Sequence, residues 1–217
     1  MFLLSLLVEE ANVYVSVGNE DAHEDFILSP NRWKRIASTY GVGEVDIGDG
    51  EGPVPVTPGL YDAIVEEAGI TKAVRDGAKV LSGSAKSRRE LIHTLCDRGS
   101  SRTHAEAAAD FLTKRGYLNE TEQAETLARS ILRRNHYGKN RIRAYLCSHG
   151  YAAAAVNQAL SRIAPDAWQE GCATLLKRKF TPWPADQNEQ RKAYAAMGRW
   201  GYTPEEVRAV RRLEMEP

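Results

Sequence analysis

Cysteine is scarce in this chain, with three among 217 residues, Cys96, Cys147 and Cys172, and no Cys-x-x-Cys pair. An odd, scattered set builds no disulfide framework and predicts buried free thiols in a reducing, cytoplasmic setting. His93 and Cys96 can share a helix face, but no second ligand pair stands at metal spacing. The five histidines lie scattered among helix starts and faces, and no nucleophile, base and acid group together. The glycines of Gly48-Asp49-Gly50-Glu51-Gly52 are not followed by Lys-Ser/Thr, which excludes a phosphate loop. Asp46 and Asp49 lack the spacing of a calcium hand. Long apolar runs are missing too. Met1 to Val8 is apolar, but no Lys or Arg precedes it, no small-residue cleavage site follows, and Glu9-Glu10 closes it. The run is far short of the ~20 residues of a membrane helix and reads as a buried strand. These absences predict a protein with no catalytic residues, no cofactor, no metal and no membrane span.

Charge is present in quantity but unevenly placed. Formal net charge is zero, yet residues 1–69 hold 13 acidic and 3 basic residues, whereas residues 70–217 hold 16 acidic and 26 basic ones. A net −10 head therefore precedes a net +10 body, which points to a polyanion or an acidic protein surface as the body's partner.

In the head, Val13, Val15 and Val17 alternate with Tyr14 and Ser16, the period of a strand. Gly18-Asn19 and then Asp25-Phe26-Ile27-Leu28 complete a hairpin with a loose connection. Gly41 to Gly59 is rich in Gly and Pro and reads as loop or linker. Beyond it the period is helical. Thr57-Pro58 opens a helix that Gly69 is placed to stop. Ser87 with Glu90, Asn119 with Glu122, Asp186 with Glu189 and Thr203 with Glu206 are capping boxes, each the start of a short helix.

Those helices repeat. Gly99, Gly150 and Gly201 stand 51 residues apart. Leu95, Leu146 and Met197 precede them by four, and Ala105, Val156, Val207 and then Ala108, Ala159, Val210 follow in register. In the first two units the buried stripe continues through Ala109, Leu112, Leu160 and Ile163; in the last, Arg211 and Glu214 replace it, as expected of a terminal repeat. Cys96 and Cys147 share the register and read as a repeated core position. The predicted fold is mainly α, three tandem three-helix repeats forming an elongated helical array after a small β-hairpin-containing N-terminal region. The predicted division is 1–59 head and linker, 60–118 repeat 1, 119–164 repeat 2 and 165–217 repeat 3. Consecutive short helices also suggest helix-turn-helix, but the alanine-rich Ala105–Ala109 and Ala152–Ala155 offer little to base edges.

This ordered set resembles the RecX family of recombinase regulators. Leu81 through Leu91 (LSGSAKSRREL), leading to Leu95 and Arg98-Gly99, is similar to the family's first signature. Gly116-Tyr117-Leu118-Asn119-Glu120 with Ala124, and Gly138-Lys139-Asn140-Arg141-Ile142 with Leu146 and His149-Gly150-Tyr151, resemble the next two, and Trp168 to Gly201-Tyr202 a weaker third repeat. The resemblance covers residues 70–215, and the head resembles a β-rich extension of some members. Ser84, Gln123 and His149 depart from the usual basic, aromatic and lysine residues, and two of these lower the positive charge.

The resemblance implies a non-enzymatic, monomeric modulator lying in the groove of a RecA filament, blocking strand exchange, ATP turnover and the coprotease activity of the SOS response. A general nucleic-acid-binding repeat protein without a recombinase partner remains the alternative. The basic residues expected to meet DNA phosphates or acidic filament surface are Arg88 and Arg89; Arg129, Arg133, Arg134, Lys139, Arg141 and Arg143; and Lys177, Arg178 and Lys179. Leu127, Ile131, Ile142 and Leu146 claim the core side of the second group, which predicts that its arginines point outward. Tyr137 and Trp183 either stack on a partner or close the local core.

Overall fold

The computed structural model describes residues 1–19, 21–42 and 54–215, so the expected Gly-rich linker, with Asp46 and Asp49, lies mostly outside the described residues. The protein is mainly helical with a small N-terminal antiparallel sheet, in two compact units: Met1–Gly83 with Leu91–Tyr117, and Ser84–Glu90 with the chain from Leu118 onward.

The first unit opens on strands β1 (Phe2–Val8), β2 (Val13–Gly18) and β3 (His23–Leu28), joined by a short β4 (Val54–Pro55) in the order β3-β2-β1-β4. The β2–β3 hairpin is as expected. Asn19 closes it, its Oδ1 accepting from the amides of Asp21 and Ala22 at 3.2 and 2.8 Å. β1 is a strand but not a buried one. Leu3 is its only buried residue, while Phe2, Leu7 and Val8 are exposed, because the sheet is covered on one face only.

That cover is shared by the helix that opens at Pro58 and by α1 (Pro30–Tyr40), which sequence reasoning passed over. Its signals are Ser29-Pro30 at the start and Trp33, Ile36, Ala37 and Tyr40 at i, i+3, i+4, i+7. Trp33 and Ile36 are buried with Leu3, Val13, Val15, Val17, Leu28, Leu60 and Ile64. Arg32 and Arg35 both pair with Glu67, so two of the head's three cations are engaged within it.

Helix α2 (Pro58–Gly83) starts as expected, Thr57 Oγ1 accepting from the Leu60 amide at 3.2 Å, but it runs straight through Gly69. The reason is tertiary. A Cβ on Gly69 would lie 2.2 Å from the His104 ring, and one on Gly77 2.7 Å from Leu112. These glycines let the helix that carries His104 and Leu112 approach closely rather than stopping α2. His104 Nε2 meets the Glu66 carboxylate at 2.7 Å across the same contact.

The remaining helices are α3 (Arg88–Asp97), α4 (Arg102–Lys114), α5 (Glu120–Asn135), α6 (Lys139–Ser148), α7 (Ala153–Ser161), α8 (Pro165–Lys179), α9 (Gln187–Arg199) and α10 (Pro204–Met215). The capping boxes are formed. Ser87 and Glu90 exchange amide bonds at 3.1 and 3.1 Å, and Thr203 and Glu206 do so at 2.7 and 3.2 Å. Asn119 accepts from the Glu122 amide and Asp186 from that of Glu189.

The 51-residue register is a backbone register. Gly99, Gly150 and Gly201 adopt φ of +88°, +85° and +96°. The amides after them, of Ser100, Tyr151 and Tyr202, donate to the carbonyls of Leu95, Leu146 and Met197 at 3.0, 3.2 and 3.1 Å. This is the same glycine C-cap made three times, and it closes α3, α6 and α9. Leu95, Leu146 and Met197 are fully buried, as are Ala105, Val156 and Val207. The cysteines correct one expectation. Cys147 is exposed and Cys96 half-buried; their carbonyls accept from Gly150 and Gly99, a bond that Gly198 makes equally well with Gly201, and only Cys172 is a buried thiol.

Tyr151 and Tyr202 also occupy equivalent, buried positions with different partners. The Tyr202 hydroxyl donates to the His136 carbonyl at 3.0 Å, whereas that of Tyr151 has no partner among the described residues. Burial, with Glu90 and Glu120 nearby, pushes the Tyr151 phenol up from 10.0 to about 12. A raised folded pKa stabilises below the unfolded value, so this contribution is complete below pH 10 and lost as pH rises from 10 through 12. Tyr151→Phe should therefore flatten the alkaline loss of stability over that window and leave neutral stability nearly unchanged. Tyr202→Phe should cost roughly 1 kcal/mol at neutral pH, because the His136 carbonyl loses its donor. Urea titrations at pH 7 and pH 11 check both.

Candidate partner-binding surface

Arg89 lies in the first turn of α3 and Arg141 in that of α6. Each reaches the carbonyl that ends the middle helix one register further on. Arg89 donates to the Ser148 carbonyl at 2.5 Å and Arg141 to that of Arg199 at 2.9 Å. Beside them Ser87 Oγ donates to the His149 carbonyl at 2.7 Å, and the Gly138 amide to that of Trp200 at 2.8 Å. Ser87 and Gly138, Ser148 and Arg199, and His149 and Trp200 are all 51-residue equivalents. One join, between a helix start and a glycine-capped helix end, is thus made twice. The cations sit on carbonyls at the negative end of a helix dipole.

Arg141 also stacks over Tyr137, its guanidinium 4.1 Å from the ring centre. Arg143 donates to Asn157 and Asn140 at 3.2 and 3.3 Å. Arg129 is held by Glu125 at 2.9 Å and by the Arg162 carbonyl at 3.0 Å. The Arg129 guanidinium keeps the Glu125 carboxyl below its ordinary pKa. Arg88 is half-buried, its amide donating to Glu120 at 2.8 Å. The expectation that the second-repeat arginines point freely outward therefore needs correction. They are placed at the surface, but helix ends and neighbouring amides take up the donors of Arg141, Arg143 and Arg129.

What remains is a smaller set. The side chains of Arg133 and Arg134 in the last turn of α5, Lys139 at the start of α6, and Arg178 and Lys179 in the last turn of α8 make no hydrogen bond or ion pair among the described residues. Lys177 beside them is exposed but engaged. Both basic last turns complement their helix dipoles without using up the charge. Arg129 and Arg133 also edge a groove of about 580 Å³ between α5 and α8, floored by Leu132, Ile163 and Gly171.

Both undecided aromatics close local structure. Tyr137 packs with the Ile142 and Leu146 cluster, and Trp183 packs among Phe180, Tyr194 and Trp200 under the Arg211 guanidinium at 4.1 Å. The sequence places Arg211 at a core position of the terminal repeat and expects it to be polar there, but gives no sign that it covers the Trp183 ring. His149 folds back on its own helix, Nδ1 2.9 Å from the Tyr145 carbonyl and its ring stacked on Tyr145. Among the described residues no cluster of three or more His, Cys, Asp or Glu could hold a metal, and no helix is long and apolar enough to cross a membrane.

No family model matches the chain. Two curated relatives are similar. One is the regulatory protein RecX of Xanthomonas axonopodis pv. citri (strain 306), 34% identical over 131 residues, which are 60% of this chain and 80% of that protein. The other is the regulatory protein RecX of Stenotrophomonas maltophilia (strain K279a), 35% identical over 130 residues, 59% of this chain and 78% of the relative. Among solved structures, a crystal structure of regulatory protein RecX aligns over 97% of this chain and 98% of its own, with a TM-score of 0.70 at 12% identity. The RecX crystal structure from Lactobacillus salivarius aligns over 66% of this chain and 95% of its own, with a TM-score of 0.60 at 17% identity. At those identities the two structures speak for the fold.

Proposed function

This chain belongs to the RecX family of regulatory proteins, and from that premise we propose that it binds the RecA filament on DNA through the basic face of its second unit. Bound in the filament groove, it modulates strand exchange, ATP turnover and coprotease activity without chemistry of its own, in the cytoplasm, as a monomer. The observation that carries the reading is the set of cations left unengaged: Arg133, Arg134, Lys139, Arg178 and Lys179. They sit in a body of net charge +10 at helix ends, all exposed except the half-buried Lys139, where they can meet phosphates or carboxylates. The three tandem repeats, 60–118, 119–164 and 165–217, would each present one stretch of that contact.

The test is co-sedimentation with recombinase-coated single-stranded DNA, against bare DNA, with ATP present. Retention on filaments at salt concentrations that release the protein from bare DNA is expected. Reversing Arg133, Arg134 and Arg178 to Glu should lower filament retention several-fold and flatten its salt dependence, by roughly one in the log–log slope per lost phosphate contact. Arg141 and Arg143 are left intact in that variant because their loss would disturb the fold. Equal retention on bare DNA would favour a general nucleic-acid-binding protein, and no retention on filaments would end the reading. Purified protein should show no ATP hydrolysis or nuclease activity that a point mutation removes.

A further inference from the structure

We propose that the groove between α5 and α8 is a receptor for a short acidic protein segment. An apolar side chain of that segment sits on the groove floor and its carboxylates meet the arginine rim. The proposal deepens the reading above and rests on it for who supplies the segment, though not for the site itself.

The groove lies wholly within the second unit, and its volume of about 580 Å³ is that of a site for one or two large side chains. Its walls are built by helical spacing. Thr126, Arg129, Ser130 and Arg133 line it from α5 at i, i+3, i+4, i+7, and Ala167, Glu170, Gly171 and Thr174 line it from α8 at the same spacing. Gly171 keeps the walls close, since a Cβ there would stand 2.8 Å from a Leu132 methyl. The floor is hydrocarbon, with Leu132 and Ile163 each under a tenth exposed.

Two features favour a protein segment over a nucleic-acid strand. A phosphodiester backbone gains nothing from an apolar floor, whereas an aliphatic or aromatic side chain does. Glu170 on the α8 wall is exposed and repels phosphates and carboxylates alike, but a peptide also brings backbone N–H donors that this carboxylate can accept, which a phosphodiester backbone lacks, and its own carboxylate then faces the Arg133 side. The charge on offer is Arg133, which is unengaged, with Arg134 beside it in the last turn of α5. Arg129 is already fixed by Glu125 and the Arg162 carbonyl, so it shapes the rim and adds field rather than donors. A carboxylate flanked by apolar residues matches this combination.

The experiment uses the full chain and a displayed library of twelve-residue peptides built from Asp, Glu, Leu, Phe, Ser and Gly. A matched library has Lys in place of the acids. Enriched peptides are then labelled and titrated by anisotropy, alongside labelled oligo(dT). Acidic sequences with apolar neighbours should be enriched, and the Lys library should give none. Arg133→Glu and the groove-filling Thr174→Phe should each weaken peptide binding tenfold or more, while Thr174→Phe leaves oligo(dT) binding unchanged. Circular dichroism melts keep folding separate from binding, and the exposed Arg133→Glu remains informative should Thr174→Phe melt early. Failure to enrich acidic-apolar peptides, or peptide binding that survives both substitutions, would overturn the proposal. So would a Thr174→Phe variant that loses oligo(dT) but keeps the peptide. Peptide binding without filament retention leaves the groove standing and removes the recombinase reading; filament retention with a failed library does the reverse.

Discussion

Gly201→Ala is expected to lower stability by more than about 3 kcal/mol, whereas Gly99→Ala should lower it by about 1 to 2 kcal/mol. All three register glycines share the left-handed backbone, at φ of +88°, +85° and +96°, so each alanine brings the same conformational strain. Their surroundings differ. Nothing lies within 4 Å of a Cβ on Gly99. A Cβ on Gly150 would meet the Arg89 side chain, its Nε at 2.4 Å, which can swing aside at the loss of its bond to the Ser148 carbonyl. A Cβ on Gly201 would stand 2.5 Å from the Arg141 amide nitrogen and 2.8 Å from the Gly138 carbonyl oxygen, and backbone cannot swing aside. The order of loss should be Gly99, Gly150, Gly201, read from urea denaturation followed by far-ultraviolet circular dichroism. Equal losses would mean that the second join contributes nothing beyond the glycine conformation.

Leu146→Ala should cost about 3 to 5 kcal/mol, and Cys147→Ser, one residue on, should stay within about 0.5 kcal/mol. Leu146 is fully buried among Ile142, Val156, Ala159 and Leu160, and truncating it opens a cavity that three flanking helices cannot close. Cys147 is exposed and is held through its backbone, and serine keeps that backbone. The same thermal melts on both variants decide the matter. A Cys147→Ser loss approaching that of Leu146→Ala would restore the cysteine as a core position.

These two comparisons show why the repeat was legible in the sequence while the surface was not. A glycine forced into positive φ and a leucine four residues before it leave a mark at a fixed interval whatever surrounds them, so Gly99, Gly150 and Gly201 with Leu95, Leu146 and Met197 could be read directly. So could capping boxes such as Ser87 with Glu90, whose bonds are local. Gly69 reads as a stop in the sequence because its reason, the His104 ring, comes from a helix 35 residues away. The destinations of Arg89 and Arg141 were hidden for the same reason. Their acceptors are carbonyls 59 and 58 residues onward, and a carbonyl leaves no trace in a residue's identity. Helix α1 had its signals in Pro30, Trp33, Ile36 and Tyr40, and they were overlooked beside an acidic, loop-like neighbourhood.

The twice-made join has an evolutionary reading as well as a mechanical one. Ser87 and Arg89 address the Ser148-His149-Gly150 end as Gly138 and Arg141 address Arg199-Trp200-Gly201, so equivalent carbonyls are met in both joins, by a hydroxyl in one and a backbone amide in the other and by arginines 52 residues apart. A gene segment encoding 51 residues, copied in frame, would carry its own plug at one end and its own socket at the other. The socket tolerates drift wherever it reads only backbone: His149 and Trp200 differ entirely as side chains, yet each offers the same carbonyl.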